Sequence, residues 1–218
     1  MPDDLAAALI EAWGGAPAAP DEPPPALERC RQLLWAAGRA VIATGGPSYV
    51  FADAAFASAA STARIIRSDR LDAVGAALPA WLRAANPGNW EPVEWDELLD
   101  GRLGPWTMVL DGQDGEVVTS ICHTPGPLAP RAAECGVWTR PGWRGLGHAA
   151  ATAAAWAEIL RPSGRTLFYS TDADNRSSQR VAARLGLRPI GWTWRLAPPP
   201  DPAALSVHPL CSLRRPAR

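Results

Sequence analysis

Hydrophobic positions recur at three- and four-residue spacing along some stretches of this chain and run together or alternate along others. Leu27, Cys30, Leu34 and Ala37 share one face at helical period, which predicts a helix there, and residues 3–13 suit a shorter one. Residues 14–25 between them are dense in Pro, Ala and Gly and read as a linker. Past a Gly-Gly-Pro turn, Ser-Tyr-Val-Phe at 48–51 reads as a β run, and residues 62–67 read as a strand. Ser68 or Asp69 then caps a helix with the stripe Leu71, Val74, Leu78 and Leu82, where Pro79 forces a kink or a break. Asn86-Pro-Gly-Asn ends that segment, and a short helix is expected at 96–99.

Residues 106–110 and 117–123 are β runs on either side of Asp-Gly-Gln-Asp-Gly, a hairpin signal. A strand at 132–139, an alanine-dominated helix at 146–160 and a strand at 166–171 follow. Asp174 or Asn175 caps the next helix, which turns Ser178, Val181, Ala182 and Leu185 inward and closes at Gly186. Strands are expected at 189–196 and 205–213. Strands outnumber helices, and a hairpin precedes a crossover, so the fold class is α/β with a mixed sheet of α+β character. Residues 1–61 form an N-terminal extension of helices and a short β element, and residues 62–218 form the main domain.

Composition narrows the function class. Apolar residues make up 47% and charged residues 20% of 218, which suits an ordinary globular chain. The net charge of −1 comes with acids and bases intermixed, all the positive side-chain charge being arginine, so no basic face recommends nucleic acid as a partner. The first apolar run is too short for a signal peptide or a membrane span. The four cysteines make no Cys-x-x-Cys pair and no metal-site spacing, which reads as a reducing compartment. A cytoplasmic protein with neither a membrane partner nor a metal is expected. The eleven tryptophans read as packing residues, with Trp90 and Trp95 allowing an aromatic cage for a cationic amine.

The chemistry gathers at residues 134–150, where a strand meets a corner and a glycine-lined turn that opens a helix. Gly145 and Gly147 let the backbone turn sharply and bring its N–H groups to a ligand. The following helix supplies unpaired N–H groups and a positive dipole end, and Arg144 adds a full charge. Such an arrangement suits a pyrophosphate. A dinucleotide fingerprint also fits Gly145-Leu-Gly147-His-Ala-Ala150, but Pro141-Gly-Trp-Arg separates it from the strand, and the nearest acid, Asp172, stands too far along. With no lysine in the chain, a Walker loop is excluded.

Arg144-Gly-Leu-Gly147-His-Ala149 matches the pattern Arg/Gln-x-x-Gly-x-Gly/Ala, with Pro141 three residues before the arginine and Trp143 one before it. Downstream, Asn175-x-x-Ser178 and Ala182-x-x-Leu185-Gly186-Leu187 form a second motif. Together they resemble the GNAT family of acyl-CoA N-acetyltransferases, over 132–191 as motifs and 62–196 as an order of elements. The resemblance implies a sheet with splayed central strands and acetyl-CoA as acyl donor. Its pantetheine arm would pair with Val137, Trp138 and Thr139, and its pyrophosphate would rest on Arg144, Gly145, Leu146, Gly147, His148 and Ala149. Asn175 and Ser178 would flank the arm. His148 stands where the family pattern is open and is expected to be exposed.

The implied reaction is direct transfer of an acetyl or other short acyl group to a primary amine, of a small molecule or a peptide. Amine attack needs a base, for which Glu134 is the first candidate, ahead of Asp172 and Asp174. Where many relatives carry a tyrosine that protonates the leaving thiolate, this chain has Ala182, with Tyr169 and Ser170 as substitutes on the neighbouring strand. That departure also allows another reading, an acyl-CoA-binding sensor or interaction module without turnover. Residues 1–61 would lid the acceptor site, mediate self-association as in a homodimer, or complete the sheet.

Overall fold

The computed structural model describes residues 3–13, 19, 21–51, 64–70, 80–111, 117–125 and 129–199. The alanine-rich residues 54–61, most of the stripe before Leu82, the tip of the hairpin and the expected strand at 205–213 lie outside the described residues. Two compact units emerge, residues 46–193 and residues 1–45 with 194–218.

In the smaller unit, α1 (Asp3–Trp13) pairs with α2 (Pro25–Ala36). Pro25 begins α2, where its fixed φ suits the first turn and its missing N–H has no role. The Arg29 guanidinium donates to the Ala12 carbonyl at 2.9 Å, and Leu9, Trp13, Leu27 and Leu34 line an apolar groove with Trp194 and Leu196.

Two sheets are present, one within the larger unit and one with two strands that belong to that unit only over residues 46–193. One has the order β2 (Arg64–Arg67), β3 (Thr107–Asp111), β4 (Val117–His123), β6 (Gly136–Thr139), and its pairs are antiparallel. The other has the order β5 (Ala132–Glu134), β7 (Thr166–Ser170), β1 (Ile42–Val50), β8 (Arg188–Ala197). There β5 runs parallel to β7, whereas β1 runs antiparallel to it. Parallel and antiparallel pairing together give the mixed character expected.

The Gly-Gly-Pro segment belongs to β1, where a turn was expected. Its glycines serve close approach instead. A Cβ on Gly45 would strike the Trp194 ring, and one on Gly46 would strike the Thr171 carbonyl.

Helices cover both faces of β3 and β4. On one side, α3 (Ala80–Ala84) and α4 (Pro92–Leu99) enclose Leu82, Trp95, Leu98, Trp106, Met108 and Ile121, all at most 1% exposed. Each indole buried here contributes roughly 5 kcal/mol of gross transfer energy, from roughly 200 Å² at about 25 cal/mol/Å². On the other side, α5 (His148–Leu160) presents Ala150, Ala153 and Ala157, whose small side chains let it lie close to the strands. α6 (Arg176–Arg184) joins the same cluster through Ala182.

A bulge in β4 prepares the site. Val109 pairs with Ser120 and Leu110 with Val118, so Thr119 is the extra residue. Both Thr119 and Ser120 consequently reach α5, at His148 and Thr152 respectively. No helix among the described residues is long and apolar enough to cross a membrane.

Candidate functional site

The run at 132–139 is continuous in sequence but divides between the two sheets. Ala132, Ala133 and Glu134 pair with Thr166, Leu167 and Phe168 of β7. The Cys135 amide makes one more bond, to the Phe168 carbonyl at 2.8 Å. From Gly136 the chain pairs with β4 instead, Val137 facing Cys122 and Trp138 facing Ile121. A Cβ on Gly136 would lie 3.1 Å from the Pro125 ring, so glycine allows the change of sheet at this point. Beyond Cys135, β6 and β7 separate as a wedge. β6 is the edge of its sheet, and an edge strand can pair with an extended ligand.

The loop at the wedge's mouth follows from its glycines. A tight turn at Pro141–Trp143 leads to Arg144, and Gly145 and Gly147 adopt φ of 85° and 89°. Gly147 is the N-cap of α5 and supplies no side-chain cap, so the first-turn amides keep their donors. None of the amides of Gly145, Leu146 and Gly147 donates to a backbone carbonyl among the described residues.

Loop and wedge enclose a cavity of about 900 Å³. Its lining includes Val137, Trp138, Thr139, Arg144, Gly145, Gly147, His148, Ala149, Tyr169, Asn175 and Ser178, all singled out from the sequence, but neither Glu134 nor Leu146. Leu146 is 59% exposed and Asp172 and Asp174 are exposed, none of them in this lining. Sequence reasoning missed Arg180 and Arg184, which also line the cavity from α6. Their four-residue spacing on that helix was the available signal. The Arg184 guanidinium lies over Gly147, 2.9 Å from where a Cβ would stand. Neither arginine has an acidic partner among the described residues.

The cavity fits coenzyme A by its chemistry: a cradle of donor amides open only to glycine, arginines from two elements, and an unpaired strand edge. Asn175 caps α6 with its Oδ1, which accepts from the Ser178 amide at 3.1 Å. Its side-chain N–H groups remain for a ligand.

His148 is buried, 5% exposed, against the expectation of an exposed side chain. The bulge explains this. Thr119 donates to the Val109 carbonyl at 3.2 Å, so the His148 Nδ1–H donates to Thr119 Oγ1 at 2.8 Å. Nε2 lies 3.9 Å from an Asp111 carboxylate oxygen. Burial holds this imidazole below its ordinary pKa of 6.5, with Asp111 pulling the other way, and burial lowers His123 as well.

Between their folded values and 6.5 both rings take up more protons in the unfolded chain. Their contribution to stability is therefore complete above pH ~6.5, falls as the pH drops below it, and levels off below the folded values. Thermal melts from pH 8 to pH 5 should show a falling Tm, with a smaller fall in His148→Gln. Equal falls in the two proteins would remove His148 from this account.

Tyr169 is 3% exposed and turns into the core with Leu167. Burial pushes its phenol far above the ordinary range, and a hydrogen bond with Ser178 offsets only part of that. The Sγ atoms of Cys122 and Cys135 lie 3.3 Å apart at the point where the run changes sheets, and both thiols are free and buried. Trp90 packs against Trp95, His123 and Trp138 at 5.7, 5.7 and 6.0 Å and is buried with Trp95, which makes a packed cluster and no open cage.

Glu134 lies on the opposite face of the second sheet from Tyr169. With Phe168 and Ser170 it lines a second cavity of about 450 Å³. Alternation along β7 thus sends Tyr169 to one cavity and its neighbours to the other.

Comparison with known proteins fits this arrangement. A family profile for the acetyltransferase (GNAT) domain matches residues 52–188. No curated protein matches the chain. Among solved structures, the chain is similar to a Drosophila protein at 18% identity and a TM-score of 0.53, covering 79% of this chain and 57% of that one. A GCN5-related N-acetyltransferase from Sphaerobacter thermophilus gives 17% identity and a TM-score of 0.50, with the same coverage of 79% and 57%. For a GNAT-family acetyltransferase from Novosphingobium aromaticivorans the values are 22% and 0.47, covering 71% and 64%. The chain therefore spans less than two thirds of each of these proteins, and for the first two the likeness is one of fold.

Proposed function

The chain belongs to the GNAT family of acetyltransferases, and we propose that it transfers an acetyl or other short acyl group from coenzyme A to a primary amine by direct attack. The observation that carries this reading is the wedge between β6 and β7, with the uncapped N-terminus of α5 at its mouth. Acetyl-coenzyme A, when bound, would supply an activated thioester. The amides of Gly145 to Ala149, with Arg144 and Arg184, would hold its pyrophosphate, and the β6 edge at Val137 to Thr139 would align the pantetheine arm. Asn175 and Ser178 bound the arm from the α6 side.

Glu134 stands one residue before the point where the run leaves β7 for β4, and on this reading it takes the proton from the attacking amine nitrogen through the gap between β6 and β7, by way of water. The carbon–nitrogen bond forms as the carbon–sulfur bond breaks, and the sulfur leaves as a thiolate. Tyr169 stays protonated throughout and offers the sulfur a hydrogen bond. Its raised pKa makes full proton transfer uphill, because an ordinary thiol has a pKa near ~8.5, and water completes that protonation.

Two measurements test the proposal on the full chain, acetyl-CoA binding by calorimetry and thiol release with a panel of amines. Binding together with amine-dependent release is the expected result. Binding without release from any amine favours the sensor reading, for which the buried Ala182 at the family's tyrosine position is the supporting feature. No binding removes both readings.

A further inference from the structure

The first cavity holds more positive charge than a pyrophosphate accounts for. Arg144, Arg180 and Arg184 line it, and no acidic side chain stands in its described lining. Two of the three guanidiniums have a place in the cradle. The Arg144 Nε donates to the Thr139 carbonyl at 3.4 Å, which ties that side chain to the end of β6. Arg184 lies over Gly147, at the start of α5. The pyrophosphate within a coenzyme A thioester carries two negative charges, one for each of these arginines.

Arg180 is left over. It stands one turn before Arg184 on α6, about 6 Å along the helix axis. It has no ion-pair partner among the described residues. Ser177, three residues earlier, lines the same cavity, and both residues are exposed. Spacings of three and four put Ser177, Arg180 and Arg184 along one flank of the helix. Tyr169, by contrast, is 3% exposed. Ser177 and Arg180 therefore belong to the cavity's solvent-facing rim, where a fully charged group keeps part of its water, whereas Tyr169 closes the buried side.

We infer that Arg180, with the Ser177 hydroxyl, receives the phosphate monoester on the 3′ oxygen of the donor's ribose, and that the chain thereby selects a free coenzyme A thioester as donor. The inference rests on the acyl-transfer reading. That monoester is the donor's one phosphate outside the pyrophosphate, and it carries ~1.5–2 negative charges near neutral pH. One ribose separates it from the pyrophosphate, a span comparable with the helical turn between Arg184 and Arg180. A guanidinium presents its N–H groups as a fork that fits phosphate oxygens, and a serine hydroxyl adds a further donor. A phosphopantetheine thioester without the nucleotide, as on a carrier protein, brings a single phosphodiester charge. It would leave two of the three guanidiniums without an anion.

Calorimetry with the full-length chain tests this, using coenzyme A and dephospho-coenzyme A, which differ only in that monoester. Coenzyme A should bind about tenfold more tightly. Arg180→Gln should lose about tenfold for coenzyme A and less than about twofold for dephospho-coenzyme A, so that the two affinities converge. Arg184→Gln should weaken both ligands by the same factor, since both keep the pyrophosphate. Equal affinities in the wild type would overturn the inference, and so would an equal loss for both ligands in Arg180→Gln. Succinyl-CoA against acetyl-CoA covers the other end of the donor, where a third anion would be a carboxylate. A preference for succinyl-CoA that Arg180→Gln abolishes, with the preference for the monoester intact, would assign Arg180 to the acyl group and overturn the inference. The two levels separate in the wild type: binding of both coenzymes with equal strength sinks this inference alone, whereas binding of neither sinks the acyl-transfer reading beneath it.

Discussion

Gly147→Asp is expected to weaken acetyl-CoA binding at least about 100-fold, about 2.7 kcal/mol, while the chain stays folded. Three effects add at this position. Gly147 has φ of 89°, a region that costs a residue with a Cβ about 1–3 kcal/mol. The new Cβ would also lie 2.9 Å from Arg184 Nη1, so the guanidinium must move off the loop. Finally, the carboxylate would stand where the pyrophosphate belongs and pair with the same arginine. Gly147→Ala brings the first two effects without the charge and should lose less, about tenfold. Calorimetry with acetyl-CoA and a thermal melt decide the matter. An Asp variant that melts normally and binds as the wild type does would show that the loop is no phosphate cradle.

The loop was legible because its requirements are local. Two glycines at positive φ, an arginine before them and a helix after them are all readable within a few residues. The helix cap at Asn175 was legible for the same reason, being a bond between residues three apart. The division of residues 132–139 was not. Ala-Ala-Glu-Cys-Gly-Val-Trp-Thr reads as one strand, and only its partners, β7 for the first half and β4 for the second, make it two. His148 shows the same limit. Its burial depends on an extra residue in β4, twenty-nine positions away, which brings the Thr119 hydroxyl to the ring. The residues lining the second cavity come from positions as far apart as 48, 134, 168 and 193, and no motif joins them.

The other large effect is expected at Glu134. Glu134→Gln is expected to lower kcat about 100-fold near neutral pH while leaving acetyl-CoA affinity unchanged. A primary ammonium with an ordinary pKa near ~10 is about one part in a thousand neutral at pH 7, so attack requires a group that accepts its proton. Glutamine keeps the size and one acceptor oxygen of the side chain but cannot become charged by losing or gaining that proton. A positioned base contributes about 10²–10⁴-fold, and the lower end applies where water can partly substitute. Acetyl-CoA affinity should hold because Glu134 lines the second cavity and the residues proposed to hold the donor line the first. The loss should shrink as the pH rises, because the neutral amine fraction grows about tenfold per unit until the amine's own pKa is reached. A variant with wild-type kcat at neutral pH would take the base role away from Glu134. A uniform loss at every pH would mean that the carboxylate orients the amine and does not deprotonate it.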